Sequence, residues 1–302
     1  MKTLKETFIL ENPSSDRIDT LLAKQYQNYS RTYFQELIEA GHVLINDKPL
    51  KKRQIPSSGD RIEIFFHKRP GPDLTPQAIP LNILYEDNHI IAVNKPPDMV
   101  VHPAPGNWSN TFVNALLNHC ALPETSDLRP GIVHRLDKET SGVLIAAKTE
   151  IAHQALVKLF QKREMKKEYI AIAVGKVQEG LISLPLRRCP IDRKKMAVAP
   201  INEGKEAITE VKLLAFNGTF SKVALKPKTG RTHQLRVHLS HQGTPVLGDK
   251  VYGNSSINER YSINRHYLHA IKIAFVHPIT GKPIEITAPL PKEMESIFVC
   301  GF

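Results

Sequence analysis

Residues 70–80 carry Pro70, Gly71, Pro72, Pro76 and Pro80, and no apolar periodicity survives across them. Proline removes a backbone donor and fixes φ, so neither a helix nor a central strand can run through such a stretch. The 302-residue chain must therefore fold on either side of it. The pattern divides into a small domain over 1–69, a linker over 70–80 and a large domain over 81–302.

In the small domain, Ile18, Leu21, Leu22 and Tyr26 fall on one helical face, and Phe34, Leu37 and Ile38 repeat the spacing in a second helix. Ser30 suits its N-cap and Gly41 its stop. Residues 43–50 turn back through Asn46-Asp47 as a hairpin, and residues 61–66 form a further strand. Arg17, Arg31, Lys51, Lys52 and Arg53 stand outside this core. Cations at a helix start oppose its macrodipole, so their placement points to phosphate contact rather than to stability.

The large domain alternates strand patterns with a few helices. Residues 82–85 and 89–94 pair across Glu86-Asp87-Asn88, and 111–120 is a short helix capped by Asn110. Ile151, Ala155, Leu156, Leu159 and Phe160 mark an amphipathic helix over 150–165. Strands follow at 169–174, 208–215 and 220–227, then a helix at 233–241 and a closing strand at 283–288. Short turns between strands imply antiparallel pairing. The expected class is α+β: a central mixed or antiparallel sheet flanked by helices, beside a smaller α+β domain.

Forty-one Lys+Arg against thirty Asp+Glu give a net charge of +11, the electrostatic footprint of a nucleic-acid partner. Cys120, Cys189 and Cys300 are far apart and odd in number, which argues against a disulfide framework or a thiolate zinc site. Met1-Lys-Thr-Leu-Lys-Glu-Thr lacks an apolar leader segment, and no apolar run of about 18 residues occurs. We expect a cytoplasmic protein, monomeric, with no membrane contact and no obligate protein partner.

Chemistry concentrates in His134-Arg-Leu-Asp-Lys-Glu-Thr-Ser-Gly142. Pro130-Gly-Ile-Val133 leads in and Val143-Leu-Ile-Ala-Ala147 leads out, both reading as buried strand. A charged knot between apolar runs is costly to fold unless its polar groups are used. The stretch resembles the catalytic motif of the RluA/RluD-type pseudouridine synthases, in which the Asp of Arg-Leu-Asp is essential. Residues 83–103, Lys167-Glu-Tyr169, Thr229-Gly-Arg231-Thr-His-Gln-Leu-Arg236-Val-His, Gly248-Asp-Lys-Val-Tyr-Gly253 and His277-Pro-Ile-Thr-Gly281 continue the resemblance in the family's order. The segment before residue 80 resembles the family's S-four-like RNA-binding appendage, first described in a small-subunit ribosomal protein.

That resemblance implies an isomerase converting uridine to pseudouridine, with structured RNA, mostly large-subunit ribosomal RNA, as substrate. The reaction breaks N1–C1′, turns the base and re-forms a bond through C5. One ionised carboxylate acting at C1′/C2′ or at C6 suffices for it. Asp137 is that carboxylate. A buried carboxylate stays ionised only beside a fixed cation, and Arg231, after the Thr229-Gly230 turn, is expected to supply it, as the family pairing implies. Tyr169 is expected to stack on the uracil and assist proton transfer, with Leu235 on the other face of the base. By resemblance Arg135 fills the gap left by the flipped base. His134, Arg236 and His102 are expected to line or brace the same RNA-handling cleft.

Thirteen histidines raise a metal reading, but only pairs such as His266 and His269, at i and i+3, could share a helical face. No Cys or His-Glu-x-x-His companion supports them, so neither a metal nor a cofactor is expected. The rival from another class is a non-catalytic RNA-binding ribosome-assembly factor. A metal-dependent hydrolase is a more distant rival.

Overall fold

The computed structural model describes residues 4–26, 29, 31–50, 54–66, 74–104, 107–122, 129–193, 195–200 and 202–299. The chain divides into two compact units, 1–71 and 72–302.

The first unit runs β1 (Leu4–Ile9), α1 (Ile18–Gln25), α2 (Arg31–Glu39), β2 (Val43–Ile45), β3 (Lys48–Pro49) and β4 (Arg61–Phe66). Its sheet has the order β1-β4-β2-β3, all antiparallel. Ile18, Leu22, Phe34, Ile62 and Ile64 are fully buried between helices and sheet, each contributing about 1.5–3 kcal/mol by leaving water. Asn46 and Asp47 both take positive φ, as a two-residue hairpin turn of this hand requires. Gly41, φ +72°, ends α2 in the left-handed region. Strand β1 was not anticipated: six residues at a sheet edge give too short an alternation to read. Ser30 and Lys51, Lys52 and Arg53 lie outside the described residues.

Arg17 and Arg31 have a structural task that the sequence reading set aside. Both donate to Asp19 Oδ2, at 3.0 and 2.9 Å, and Gln35 donates to the same oxygen at 2.6 Å. Burial acts to raise the Asp19 pKa, but the bond from Gln35 and the charges of Arg31 and Arg17 hold it below the usual carboxylate range. Asp19 is wholly buried and ties the two helices together, so these cations stabilise the module. Each guanidinium still presents a partly exposed side.

The second unit runs β5 (Ile83–Glu86), β6 (Ile90–Lys95), α3 (Phe112–His119), β7 (Ser141–Ala147), α4 (Glu150–Gln161), β8 (Lys166–Val174), β9 (Gly180–Ser183), β10 (Leu186–Arg188) and β11 (Met196–Val198). It continues with β12 (Ile208–Phe216), β13 (Phe220–Pro227), α5 (Gln234–His241), α6 (Ser255–Arg260), β14 (Leu268–Val276), β15 (Pro283–Thr287) and α7 (Lys292–Val299). The large sheet is mixed, in the order β5-β6-β7-β14-β8-β13-β12-β9. Among the described strands only β7 and β14 pair in parallel, over two residues. Beyond that point β15 takes over as the partner of β14. β10 and β11 form a separate two-stranded arm.

All seven residues of β7 are buried, which is why its sequence is apolar without alternation. Gly142 sits at φ +108° where β7 meets β14, and a Cβ there would lie 2.2 Å from the Ala270 carbonyl oxygen. Only glycine permits that approach.

Several expectations are corrected. Helix α3 is capped by Thr111, which accepts from the Asn114 amide while Asn114 reaches back in a capping box, rather than by Asn110. Helix α4 stops at Gln161, and Arg163 turns the chain at φ +62°, so Met165 lies beyond it; Ile151 is exposed. β14, a central strand, was missed because Lys272 and polar flanks blur its pattern, and α7 rather than β15 closes the described chain. Within the expected linker, Thr75 and Gln77 are fastened to α3: Asn114 donates to the Thr75 carbonyl, and the Gln77 amide donates to the Asn114 carbonyl. No helix among the described residues is long and apolar enough to cross a membrane.

Candidate active site

The 134–140 segment enters β7 from outside the sheet and is held by its neighbours. Lys95, fully buried at the end of β6, donates to the carbonyls of Pro96, Met99 and Lys138 at 2.7, 3.0 and 3.0 Å. Burial pushes its pKa down to about 7. Thr140 Oγ1 lies 2.7 Å from His266 Nε2, and Ser141 Oγ 2.8 Å from His269 Nδ1. Glu139 accepts from the His266 amide, and Arg265 donates to the Glu139 carbonyl. The two histidines considered for a metal thus brace this loop.

Asp137 opens onto a cleft of about 560 Å³. Arg236, on the first turn of α5, donates through Nη1 to Asp137 Oδ2 at 2.9 Å. Its Nε and Nη2 donate to the two oxygens of Asp249, at 2.6 and 2.9 Å. The Asp249 side chain is fully buried, that of Arg236 is 6 % exposed and that of Asp137 18 %. Burial opposes the charge on Arg236, but Asp249 and Asp137 outweigh it and raise its pKa. Burial likewise acts against the Asp249 carboxylate, and Arg236 holds it below its usual range.

The cation at Asp137 is therefore Arg236, not Arg231. Arg231 lines the cleft, but its Nε donates to the Glu206 carbonyl at 2.9 Å. The reason lies in the turn. Gln234, buried at the start of α5, accepts from the Thr229 hydroxyl and the Arg231 amide and donates to the Ile208 carbonyl, which fixes 229–234 against β12. Two positions after Gln234, the side chain of Arg236 joins the cleft lining. Asp249 was missed, although Gly248 and Gly253 flank it: a Cβ on Gly248 would lie 1.8 Å from the Arg265 carbonyl oxygen, and one on Gly253 2.3 Å from that of Asp249.

Tyr169 and Leu235 both line the cleft. Burial, then the charge of Asp137, raises the Tyr169 pKa above that of a free phenol. Lys167 also lines it, and burial lowers its pKa. Arg135 is exposed at the rim. His134 braces the fold: its Nε2 accepts from the Ile145 amide at 2.9 Å, and its ring stacks on Phe160 at 4.8 Å. Burial, then Lys167, pushes its pKa down to about 3. His102 is buried and is not part of the cleft lining.

His233 was not singled out from the sequence. It caps α5 at φ +55°, with Nδ1 2.8 Å from the Tyr252 hydroxyl and Nε2 3.9 Å from Asp137 Oδ2.

The cleft combines a partly accessible carboxylate, an arginine bonded to it and further cations in its lining, an arrangement suited to a polyanionic substrate. The RNA pseudouridylate synthase family model matches residues 89–241, and the S4 domain model matches residues 16–62. The chain belongs to the RNA pseudouridine synthase family, isomerases that act on RNA, and carries an RNA-binding S4 domain. It is 41% identical to an uncharacterized RNA pseudouridine synthase of Chlorobaculum parvum, covering 93% of this chain and 92% of that one. It is 38% identical to ribosomal large subunit pseudouridine synthase D of Escherichia coli O6:H1, over 95% of this chain and 90% of that one. The solved structure of human RNA pseudouridylate synthase domain containing 1 aligns with a TM-score of 0.57 at 30% identity, covering 70% of this chain and 84% of that one.

Proposed function

We propose that the protein isomerises specific uridines of large-subunit ribosomal RNA to pseudouridine, with Asp137 as the reacting carboxylate. The observation that carries this reading is the Arg236 bridge, which fixes an acid in place in a nucleotide-sized cleft. Relatives named as large-subunit enzymes support the substrate class.

Asp137 acts at the sugar or at C6, the N1–C1′ bond breaks, and the base turns between Tyr169 and Leu235. A bond forms from C5 to C1′, the C5 hydrogen leaves to solvent, and N1 gains a proton. Tyr169 keeps its proton and serves as a stacking platform and hydrogen-bond donor. Arg135, exposed at the rim, takes the place of the extruded base in the RNA stack, a step that costs a few kcal/mol. The S4 domain adds affinity for structured RNA.

Chemical mapping of pseudouridine in ribosomal RNA from cells lacking the protein tests the reading. One or more large-subunit positions should revert to uridine and return with the wild-type gene. An unchanged map would sink it.

A further inference from the structure

We propose that His233 is a specificity-determining positioning residue that donates its Nε2–H to the 2′-hydroxyl of the target uridine, which in turn donates to Asp137. The proposal rests on the reading of Asp137 as the reacting carboxylate.

The tautomer of His233 is fixed from behind. The Met196 amide, at the turn end of the β10–β11 arm, donates to the Tyr252 hydroxyl oxygen at 2.7 Å. That hydroxyl must send its own hydrogen elsewhere, and His233 Nδ1 stands 2.8 Å away. With the hydroxyl hydrogen turned to Nδ1, we place the ring hydrogen on Nε2, facing the cleft and Asp137. Burial lowers the pKa of His233 despite the nearby carboxylates, so the ring stays neutral at physiological pH.

The gap from Nε2 to Asp137 Oδ2 is 3.9 Å, too wide for a direct hydrogen bond. Two bonds of about 2.8 Å meeting on a shared atom at roughly a right angle span it. Among the groups of a bound nucleotide, the atom between must accept from Nε2–H and donate to a carboxylate, which a hydroxyl does. Uracil offers N–H donors and carbonyl acceptors on separate atoms, and phosphate oxygens only accept. In a nucleotide inside an RNA chain the 3′ and 5′ oxygens are esterified, which leaves the 2′-hydroxyl as the free one. It is also the group attached next to C1′, whose bond to the base is broken.

The test uses a synthetic RNA stem-loop containing the uridine mapped above, with either 5-tritiated uridine or 5-tritiated 2′-deoxyuridine at that position. Tritium release gives kcat/KM for the wild type, His233→Phe, His233→Gln and Tyr252→Phe, each checked for cooperative thermal unfolding. Removing the 2′-hydroxyl should cost His233→Phe about tenfold less than it costs the wild type, so that the two enzymes converge on the deoxy substrate. His233→Gln, which keeps a donor, should recover part of the discrimination. Tyr252→Phe, which keeps the ring but releases its tautomer, should lose part of it. Equal deoxy penalties in all four enzymes would overturn the proposal and leave the reaction intact. No release by the wild type from the all-ribose RNA would overturn the reaction assignment, and this inference with it.

Discussion

Arg236 grips Asp249 through Nε and Nη2 and reaches Asp137 with the one remaining arm, Nη1. A guanidinium held on two sides cannot follow the carboxylate it serves. The carboxylate is instead held to the guanidinium, and the planar fork makes this possible where a lysine would not.

Asp137→Asn keeps the shape of the site and removes its charge. Tritium release from 5-tritiated uridine RNA should fall to background while RNA affinity, measured by filter binding, stays within about threefold of wild type. Turnover within tenfold of wild type would refute the role of Asp137.

Arg236→Met leaves two carboxylates without their cation, one of them fully buried, and should lower unfolding stability by about 3–5 kcal/mol. The rate should fall by on the order of a thousandfold, and Asp249→Asn should lose much of the rate through the same arginine. Arg231→Met leaves Asp137 its cation and removes a bond to a backbone carbonyl and one charge of the cleft lining, so its loss should be tenfold or less. Single-turnover kinetics beside urea melts separate the two arginines, and equal losses would mean both serve Asp137.

Acid should weaken the large domain through His134. Burial sets its folded pKa at about 3 against 6.5 for the free side chain, so the unfolded chain binds more protons between those values. The stability contribution is complete above pH 6.5 and is lost as pH falls toward 3. Protonation also removes the acceptor of the Ile145 amide. Urea unfolding at pH 4.5 and 7.5 should show a smaller difference in His134→Gln than in wild type.

Removing residues 1–71 should raise KM on ribosomal RNA and flatten the dependence of binding on salt, as lost phosphate contacts release fewer counterions. Cutting later would strip Thr75 and Gln77 from α3 and confound the result. A folded deletion that binds normally but loses its saturating rate would place the module in the active site.

The family, and the segment that carries Asp137 into the cleft, were legible because each is written in consecutive residues: a series of motifs in order, and a charged knot between buried runs. Arg236 was expected in the cleft, but its pairing with Asp137 was not legible, nor were Asp249 and the place of His233, because these depend on long-range packing. Which arginine of the 229–238 segment faces Asp137 is decided by Gln234 fastening the turn to β12, a contact 26 residues away in sequence. Tertiary bracing also explains His266 and His269, whose helical spacing in the sequence becomes a strand entry in the fold. The charges on Arg17 and Arg31 were visible, but their buried partner Asp19 looked like an ordinary first-turn acid.

The bridge of one guanidinium and two carboxylates leaves the cleft floor with a net negative charge, while Arg135, Lys167, Lys228 and Arg231 stand around it. An approaching RNA meets opposite signs at two depths. Its phosphates are attracted to the upper ring and repelled from the well below, whereas an uncharged base and sugar can descend. The parts of an RNA that carry no charge, base and sugar, are therefore the ones this carboxylate pair tolerates nearest to it.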